Sequence, residues 1–288
     1  MGSYSTMTRS FGSSPAPATA AVQQLRDTQQ AFDSVAADYD GPRGNNPLIQ
    51  DMRREMWQAL DAAFPKKSRL IDLGCGTGLD AVRMGHLGHR VIATDWSPYM
   101  VERTRARAAH DKVPEAVEVR AVGAHELHRL EGDQAFDGAY SNLGALNCVP
   151  DLSVVARECA RLLTSGGRLV FTVIGRICPW EIAYYLSQGR WARVTVRYAR
   201  AFVPVRMNSH TIWTRYYQPR EFYRAFRQHF TLEHYRGLCV LAPPPYLAWM
   251  RERHAPLYER LWRLDRQVSG WPLLRAMGDH FLIVMKKK

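Results

Sequence analysis

The chain has 288 residues, 46% hydrophobic and 23% charged, a globular composition that excludes a mostly disordered chain. No apolar run approaches the roughly 20 residues a membrane-spanning helix needs, and five scattered cysteines (Cys75, Cys148, Cys159, Cys178, Cys239) with no CxxC pair argue against a disulfide framework or a metal site and for a reducing, cytoplasmic setting. The formal net charge of +12 is uneven: residues 1–175 hold 19 Lys/Arg against 20 Asp/Glu, whereas residues 176–288 hold 20 against 7 and carry 20 of the 31 aromatics, so the second part is expected to face something anionic or aromatic.

Residues 1–20, Ser, Thr, Ala and Pro around the single charge Arg9, read as a disordered leader. A helical pattern begins near Val22 and carries Leu25, Phe32 and Val35 to a turn at Asp38-Tyr39-Asp40-Gly41. A second helix, Pro47 to Phe64, sets Leu48, Met52, Met56 and Leu60 on one stripe. Strand-like Arg69-Leu70-Ile71-Asp72-Leu73 runs into a glycine-rich turn. The spacing then predicts a strand over His89–Thr94, a helix over Ser97–His110, and strands over Ala116–Val122 and Phe136–Tyr140. A helix over Leu152–Leu163, ended by Ser165-Gly166-Gly167, and a strand over Arg168–Ile174 complete the run. Such alternation builds right-handed βαβ units on a parallel sheet. Beyond Gly175 the rhythm changes. Helical stretches near 179–190 and 219–228 bracket an Arg- and aromatic-rich segment, and a strand follows over Thr231–Leu241. After Pro243-Pro244-Pro245 the pattern predicts one helix from Tyr246 to about Val268, with Leu257, Leu261, Leu264 and Val268 as its apolar stripe, and a last strand over His280–Met285.

The sharpest motif is Asp72-Leu73-Gly74-Cys75-Gly76-Thr77-Gly78, after a strand and before a helix. Its glycines let the backbone turn tightly and approach a ligand with no Cβ between them. Asp95 closes the next strand, where a carboxylate can accept both hydroxyls of a ribose. A dinucleotide loop would read G-x-G-x-x-G and aim a helix N-terminus at a pyrophosphate. Here the spacing is G-x-G-x-G, and Asp72, two residues ahead of the first glycine, suits the ammonium of an amino acid and repels a phosphate. A nucleoside that carries an amino acid and no phosphate is S-adenosyl-L-methionine.

Taken together, these residues resemble class I S-adenosylmethionine-dependent methyltransferases, in particular the small-molecule UbiE-like or type-11 group. The resemblance spans about residues 30–175. It rests on Phe32-Asp33-Ser34-Val35-Ala36-Ala37-Asp38-Tyr39-Asp40, on the DLGCGTG loop, and on Asp95-Trp96-Ser97. Phe136-Asp137-Gly138 ahead of Ser141-Asn142-Leu143-Gly144, and Leu163-Thr164-Ser165-Gly166-Gly167-Arg168, complete it. The resemblance implies a doubly wound, Rossmann-like α/β fold: a seven-stranded, mostly parallel sheet whose last strand is antiparallel, with helical lid insertions. It also implies S-adenosyl-L-methionine as cofactor, S-adenosyl-L-homocysteine as product, and no metal. Gly74, Gly76 and Gly78, with Cys75 and Thr77 between them, would line the methionine part, and Asp95 the ribose. Trp96, with Ser97 and Met100 after it, would face the adenine. Tyr39 and Arg43 would close over the carboxylate end, and Asn142, Leu143 and Gly144 would lie beside the transferring methyl. One departure stands out. Where the group often has Gly-Asp-Ala, this chain has Gly123-Ala124-His125-Glu126, so Ala124 and His125 or Glu126 take the place of an adenine-binding carboxylate.

The acceptor side is less patterned. His125, His128, His210 and Tyr39 are the candidate bases, His210 and Tyr39 foremost, and Asn147, Trp180, Tyr184, His210 and Tyr216 the candidate acceptor-pocket residues. Ala242-Pro243-Pro244-Pro245-Tyr246 has the look of a base-methylating loop but comes a whole strand–helix unit too late in the chain to be one. The basic second part suits a lid over a small acceptor, an RNA surface, or peripheral attachment to anionic lipid through helix 246–268 and Lys286-Lys287-Lys288. The expected organisation is a leader over 1–20, a cofactor-binding core with a helical cap over 21–175, and lid insertions plus the last strands over 176–288. The expected function is methyl transfer to O, N or C of a small apolar or aromatic metabolite, with RNA as the alternative acceptor. Sequence reading leaves the oligomeric state open.

Overall fold

The computed structural model describes residues 17–42, 44–65, 67–130 and 135–288. Residues 1–16 of the expected leader and Arg43 lie outside the described residues. The first helix, α1 (Pro17–Val35), starts ahead of Val22 and takes in residues 17–20. Its opening Pro-Ala-Thr-Ala-Ala suits a helix start, with Pro in the first turn and good helix formers after it. In α2 (Pro47–Ala63) the Asn46 side chain accepts from the backbone N–H of Leu48 and Ile49. The predicted stripe Leu48, Met52, Met56 and Leu60 is buried.

Strands and helices then alternate as β1 (Arg69–Leu73), α3 (Leu79–His86), β2 (Arg90–Asp95), α4 (Pro98–His110), β3 (Val117–Ala121), β4 (Phe136–Ser141), α5 (Leu152–Leu162) and β5 (Leu163–Ile174). The second part holds α6 (Pro179–Ser187), α7 (Trp191–Val194), a hairpin of β6 (Val203–Met207) and β7 (His210–Thr214), α8 (Pro219–Phe226), β8 (Phe230–Leu238), α9 (Trp249–Arg253), α10 (Ala255–Val268) and β9 (His280–Lys287). The sheet order is β3-β2-β1-β4-β5-β9-β8. The first five strands are parallel, and β9 runs antiparallel to both β5 and β8. This is the doubly wound, Rossmann-like, mostly parallel seven-stranded arrangement. The chain works outward from β1 to β3 and crosses back to β4, so the crevice between β1 and β4 is the switch point where such sheets bind ligands.

Helices cover both faces, which is why β1 reads as a nearly continuous apolar run. On one face Ile71, Leu73 and Phe171 meet Val155 and Leu162 of α5 and Phe222 and Phe226 of α8. On the other, Leu70, Val91 and Val170 meet Met56 and Leu60 of α2 and Val82 and Met84 of α3.

The expected helix over Tyr246–Val268 is two helices broken at His254, because Pro256 falls in the first turn of α10 and has no N–H to continue α9. Its buried residues are Tyr258 and Asp265, while Leu257 and Leu264 of the predicted stripe stay 49% and 47% exposed. Polar partners turn the helix this way. Asp265 Oδ1 accepts from the backbone N–H of Val240, Leu241 and Ala242, and the Tyr258 hydroxyl donates to Asp51. Satisfying three otherwise orphaned N–H groups outweighs burying one more leucine face. No helix among the described residues is long and apolar enough to cross a membrane.

Candidate active site

The glycine loop leaves β1 with Gly74, Gly76 and Gly78 all at positive φ (76°, 55° and 84°), a conformation that favours glycine. A Cβ on Gly74 would lie 2.5 Å from Ala145 Cβ, and one on Gly78 2.7 Å from Thr104 Cγ2. Gly76 differs: its nearest neighbour would be the Tyr39 ring at 3.9 Å. Gly74 and Gly78 are therefore packing requirements, and Gly76 faces open space beneath Tyr39. The N–H of Gly76 donates to Asp95 Oδ2 at 2.9 Å, and that of Ser97 to Asp95 Oδ1 at 2.8 Å. Each carboxylate oxygen thus keeps a free acceptor direction. Burial pushes the Asp95 carboxyl up to about 6, against the pull of these two N–H groups.

Gly74 and Gly76, Asp95 with Trp96, Ser97 and Met100, and Ala124 with His125 line one end of a cavity of about 400 Å³; Tyr39, Asn142, Leu143 and Gly144 line it further in. His125 meets Trp96 edge-on, ring centroids 4.6 Å apart, and burial lowers its pKa so that the ring is neutral near pH 7. Glu126 turns away to Arg129. The Trp96 Nε1–H is buried with no protein partner among the described residues. At the turn after β4, Asn142 donates to Asp80 at 3.0 Å and accepts from Thr172 and from the Leu143 N–H. These bonds hold Leu143 at φ 53° and Gly144 at φ 83°.

Several expected contacts fall elsewhere. Asp72 is not among the lining residues. It is buried behind the loop beside Tyr140, and burial, with Asp80 adding repulsion, holds its carboxyl well above the usual range. Cys75, Thr77 and Gly78 also miss the cavity. The Cys75 thiol points to Thr104, and the Thr77 hydroxyl donates to Asp40 at 2.8 Å. Asn147 is fully buried and spent on the backbone: it donates to the carbonyls of Ile174 and Arg215 and accepts from the Ile174 N–H. The Trp180 indole donates to the Leu241 carbonyl, and Tyr184 lies on the outer surface. His210 sits at the tip of the β6–β7 hairpin opposite Met207, outside the lining. Tyr39 does line the cavity, but burial raises its hydroxyl above 10.0, so it is a donor and no base near neutral pH. Tyr216 lines it as expected, its hydroxyl pushed up to about 12 by burial.

The far end of the cavity was largely missed. Thr28 and Phe32 of α1 roof it, with Val205, Met207 and Ile212 of the hairpin. The Trp213 N–H donates to Thr28 and its indole to Asp27, which clamps the hairpin to α1. Tyr246, from the dismissed proline segment, also lines this end. At its base lie Arg197, Asp279 and His280. Arg197 is 7% exposed, and all five of its N–H groups are used: on Glu181, on Asp279 Oδ1 at 2.7 Å, and on the carbonyls of Gly175 and Asp279. The Arg197 guanidinium and His280 hold the Asp279 carboxyl well below its ordinary value. The other Asp279 oxygen meets His280 Nδ1 at 2.9 Å. That contact leaves Nε2 as the ring nitrogen with no protein partner among the described residues. A signal for this dyad was present. An antiparallel last strand must begin where the parallel strands end, and this one begins Asp279-His280.

Residues 71–171 match the family model of a methyltransferase domain, the type-11 group. A ubiquinone biosynthesis O-methyltransferase of Xanthomonas oryzae pv. oryzae is 34% identical over 155 residues, 51% of this chain and 62% of the relative. Its counterpart in Xanthomonas campestris pv. campestris is 32% identical over 139 residues, 48% of this chain and 56% of the relative. The chain thus spans less than two thirds of the length of the curated relatives it matches. Among solved structures, geranyl diphosphate C-methyltransferase from Streptomyces coelicolor A3(2) superposes with a TM-score of 0.56 at 16% identity, over 92% of this chain and 98% of that one. An S-adenosylmethionine dependent methyltransferase from Mesorhizobium loti gives 0.51 at 21% identity, over 80% and 96%. At these identities the likeness is one of fold.

Proposed function

We propose that this chain, a bearer of the type-11 methyltransferase domain over residues 71–171, moves a methyl group from S-adenosyl-L-methionine to a hydroxyl oxygen of a small, apolar or aromatic acceptor, leaving S-adenosyl-L-homocysteine. The observation that carries this reading is the continuity of one cavity from the Gly76–Asp95 end to the Asp279–His280 end. The O-methylation for which the Xanthomonas relatives are named supports it.

The residues fit the cofactor. Asp95 has one free direction on each oxygen for a ribose diol. Trp96 and a neutral His125 offer flat apolar faces for adenine, and the Trp96 Nε1–H is an unspent donor. Gly76 leaves space under Tyr39, whose protonated hydroxyl can donate to a carboxylate. Asn142 and Leu143 form the wall between the two ends. When bound, the sulfonium supplies an electrophilic methyl already activated for in-line displacement. The chain's own work is then to hold the acceptor close and collinear, exclude water, and take a proton. The apolar roof from α1 and the hairpin excludes water. His280 Nε2 takes the proton, since Asp279 fixes the ring with Nδ1–H inward. Arg197, Glu181 and Asp279 together carry one net negative charge beside the ring. Of the neighbouring groups, Cys148 and Tyr216 are pushed up to about 12 by burial and remain protonated.

The test is to incubate the protein with methyl-labelled S-adenosyl-L-methionine, once with a panel of hydroxybenzoates and alkyl catechols and once with cell extract, then to partition the label. Label in the organic fraction as a methyl ether is expected. Label confined to RNA would replace this reading with the nucleic-acid one.

A further inference from the structure

From residue 182 to residue 220 the chain has seven arginines and no Asp or Glu. Two of the seven are spent inside the protein, Arg197 on Asp279 and Glu181, and Arg215 on Glu221. Arg190, Arg193, Arg200 and Arg206 are exposed and form no ion pair among the described residues. Amid these cations lies α6, Pro-Trp-Glu-Ile-Ala-Tyr-Tyr-Leu-Ser, whose one charge, Glu181, is held by Arg197 and of which no residue is buried. Residues 179–182 and Tyr185 are half-buried against the protein, while Ala183, Tyr184 and Leu186 face solvent, so an apolar stretch of the helix is left uncovered. Trp191 on α7 is 70% exposed, and Leu186, Tyr198, Tyr246 and Trp249 are exposed as well. Tyr184 of α6 and Tyr246 ahead of α9 pack with ring centroids 6.2 Å apart, which joins the two segments into one surface. Arg253 lies over the Trp249 ring at 5.9 Å and adds a cation to it.

We propose that α6, α7 and the start of α9 form a docking surface for an anionic lipid bilayer, with Trp191 and Leu186 entering the headgroup boundary and Arg190, Arg193 and Arg200 contacting phosphates. Apolar side chains ringed by unpaired arginines are the chemistry of a membrane-surface segment. A second copy of the chain fits worse, because a twofold contact through this face would set Arg190, Arg193 and Arg200 against three more arginines, with Glu252 of α9 as the one acid each side brings. RNA could stack on Trp191, Tyr198 and Trp249, but the exposed aliphatic Leu186 beside them gains nothing from bases and suits a headgroup boundary. The expected attachment through Lys286-Lys287-Lys288 would be a separate contact from this one. As β9 begins at the cavity edge it ends at the opposite one, where Lys287 and Lys288 bind the carbonyls of Leu163, Arg227 and Gln228. Tyr246 both lines the cavity and belongs to this surface, so the acceptor end lies against the bilayer side. The docking surface stands whether or not the proposed reaction does.

The experiment is sedimentation of the full chain with phosphatidylglycerol–phosphatidylcholine vesicles and with phosphatidylcholine vesicles alone. Binding to the first only is expected, reduced by 0.5 M salt on the order of tenfold. The double variant Arg190→Glu/Arg193→Glu and the single variant Trp191→Ser should each lose it. Both should keep the circular dichroism spectrum and the S-adenosyl-L-homocysteine affinity of the parent, since neither site touches the cavity. Protein left in the supernatant, or binding that survives both variants, overturns the proposal. So does a dimer seen by analytical ultracentrifugation without vesicles that Trp191→Ser dissociates, or retention of poly(U) in place of vesicles with the same sensitivity to the variants.

Discussion

Asp95 illustrates how much one buried carboxyl sets. Losing its charge-assisted hydrogen bonds should weaken cofactor binding by about 1 to 3 kcal/mol in Asp95→Ala, read by calorimetry with S-adenosyl-L-homocysteine; unchanged affinity would remove it from the ribose site. Its pH behaviour follows from the shift upward, from 3.8 to about 6. Between those values the folded, ligand-free protein holds a proton that the unfolded chain has released, so its stability falls as pH rises to about 6 and is level above. Cofactor binding needs the ionised form and should strengthen over the same window in the parent but not in Asp95→Ala. His280 is the second residue to test. As general base it should contribute on the order of 10² to 10⁴ in kcat, so His280→Gln should lower kcat that far and leave KM for the cofactor alone. Asp279→Asn should lower it less. That Asp95, Trp96 and Gly76 line the cavity was legible in sequence because backbone geometry at a strand end dictates their type. His280 was harder to see, since its place in the cavity depends on a strand direction that only the pairing reveals. His210 misled: a histidine beside hydroxyl residues in an aromatic stretch proved to be a hairpin tip.

At the level of elements, the glycine loop and the helix it opens depend on Gly78. Its φ of 84° and the 2.7 Å approach of Thr104 Cγ2 leave no room for a methyl group. Gly78→Ala should cost about 1 to 2 kcal/mol for the left-handed backbone alone, with the shift in α4 added, and a fall of several degrees in Tm should report it. An unchanged Tm would mean the loop can relax. The alternating elements up to residue 174 were readable because each is short, regular and bounded by Gly, Pro or a capping Ser, Asp or Asn. Past residue 175 the helices are short and anchored by polar groups, so hydrophobic spacing misjudged them. In α10 the inward residue is Asp265, placed by three backbone N–H groups that no periodicity rule includes.

For the molecule as a whole, Arg197 ties the inserted segment to the sheet through Glu181, Asp279 and the Gly175 carbonyl. Arg197→Leu would strand the buried Asp279 carboxylate and the half-buried Glu181, and breaking a buried pair costs about 3 to 5 kcal/mol; denaturant unfolding would measure it, and a loss below 1 kcal/mol would show the tie to be redundant. The sign of the acid dependence is fixed by Asp279, whose folded pKa lies far below 3.8. Its contribution is complete above pH 4 and is lost as pH falls through the lowered value.

The strand order has a consequence in time. The strand that begins with His280 pairs on one side with β5 and on the other with β8, so β8 has no place in the sheet until β9 exists. A ribosome-bound nascent chain can form the glycine loop early, yet the Asp279–His280 end of the cavity and the pairing of the seventh strand wait for β9 to be made. Completion of the cavity is thereby coupled to the arrival of β9, through contacts of long sequence separation that form late and slowly.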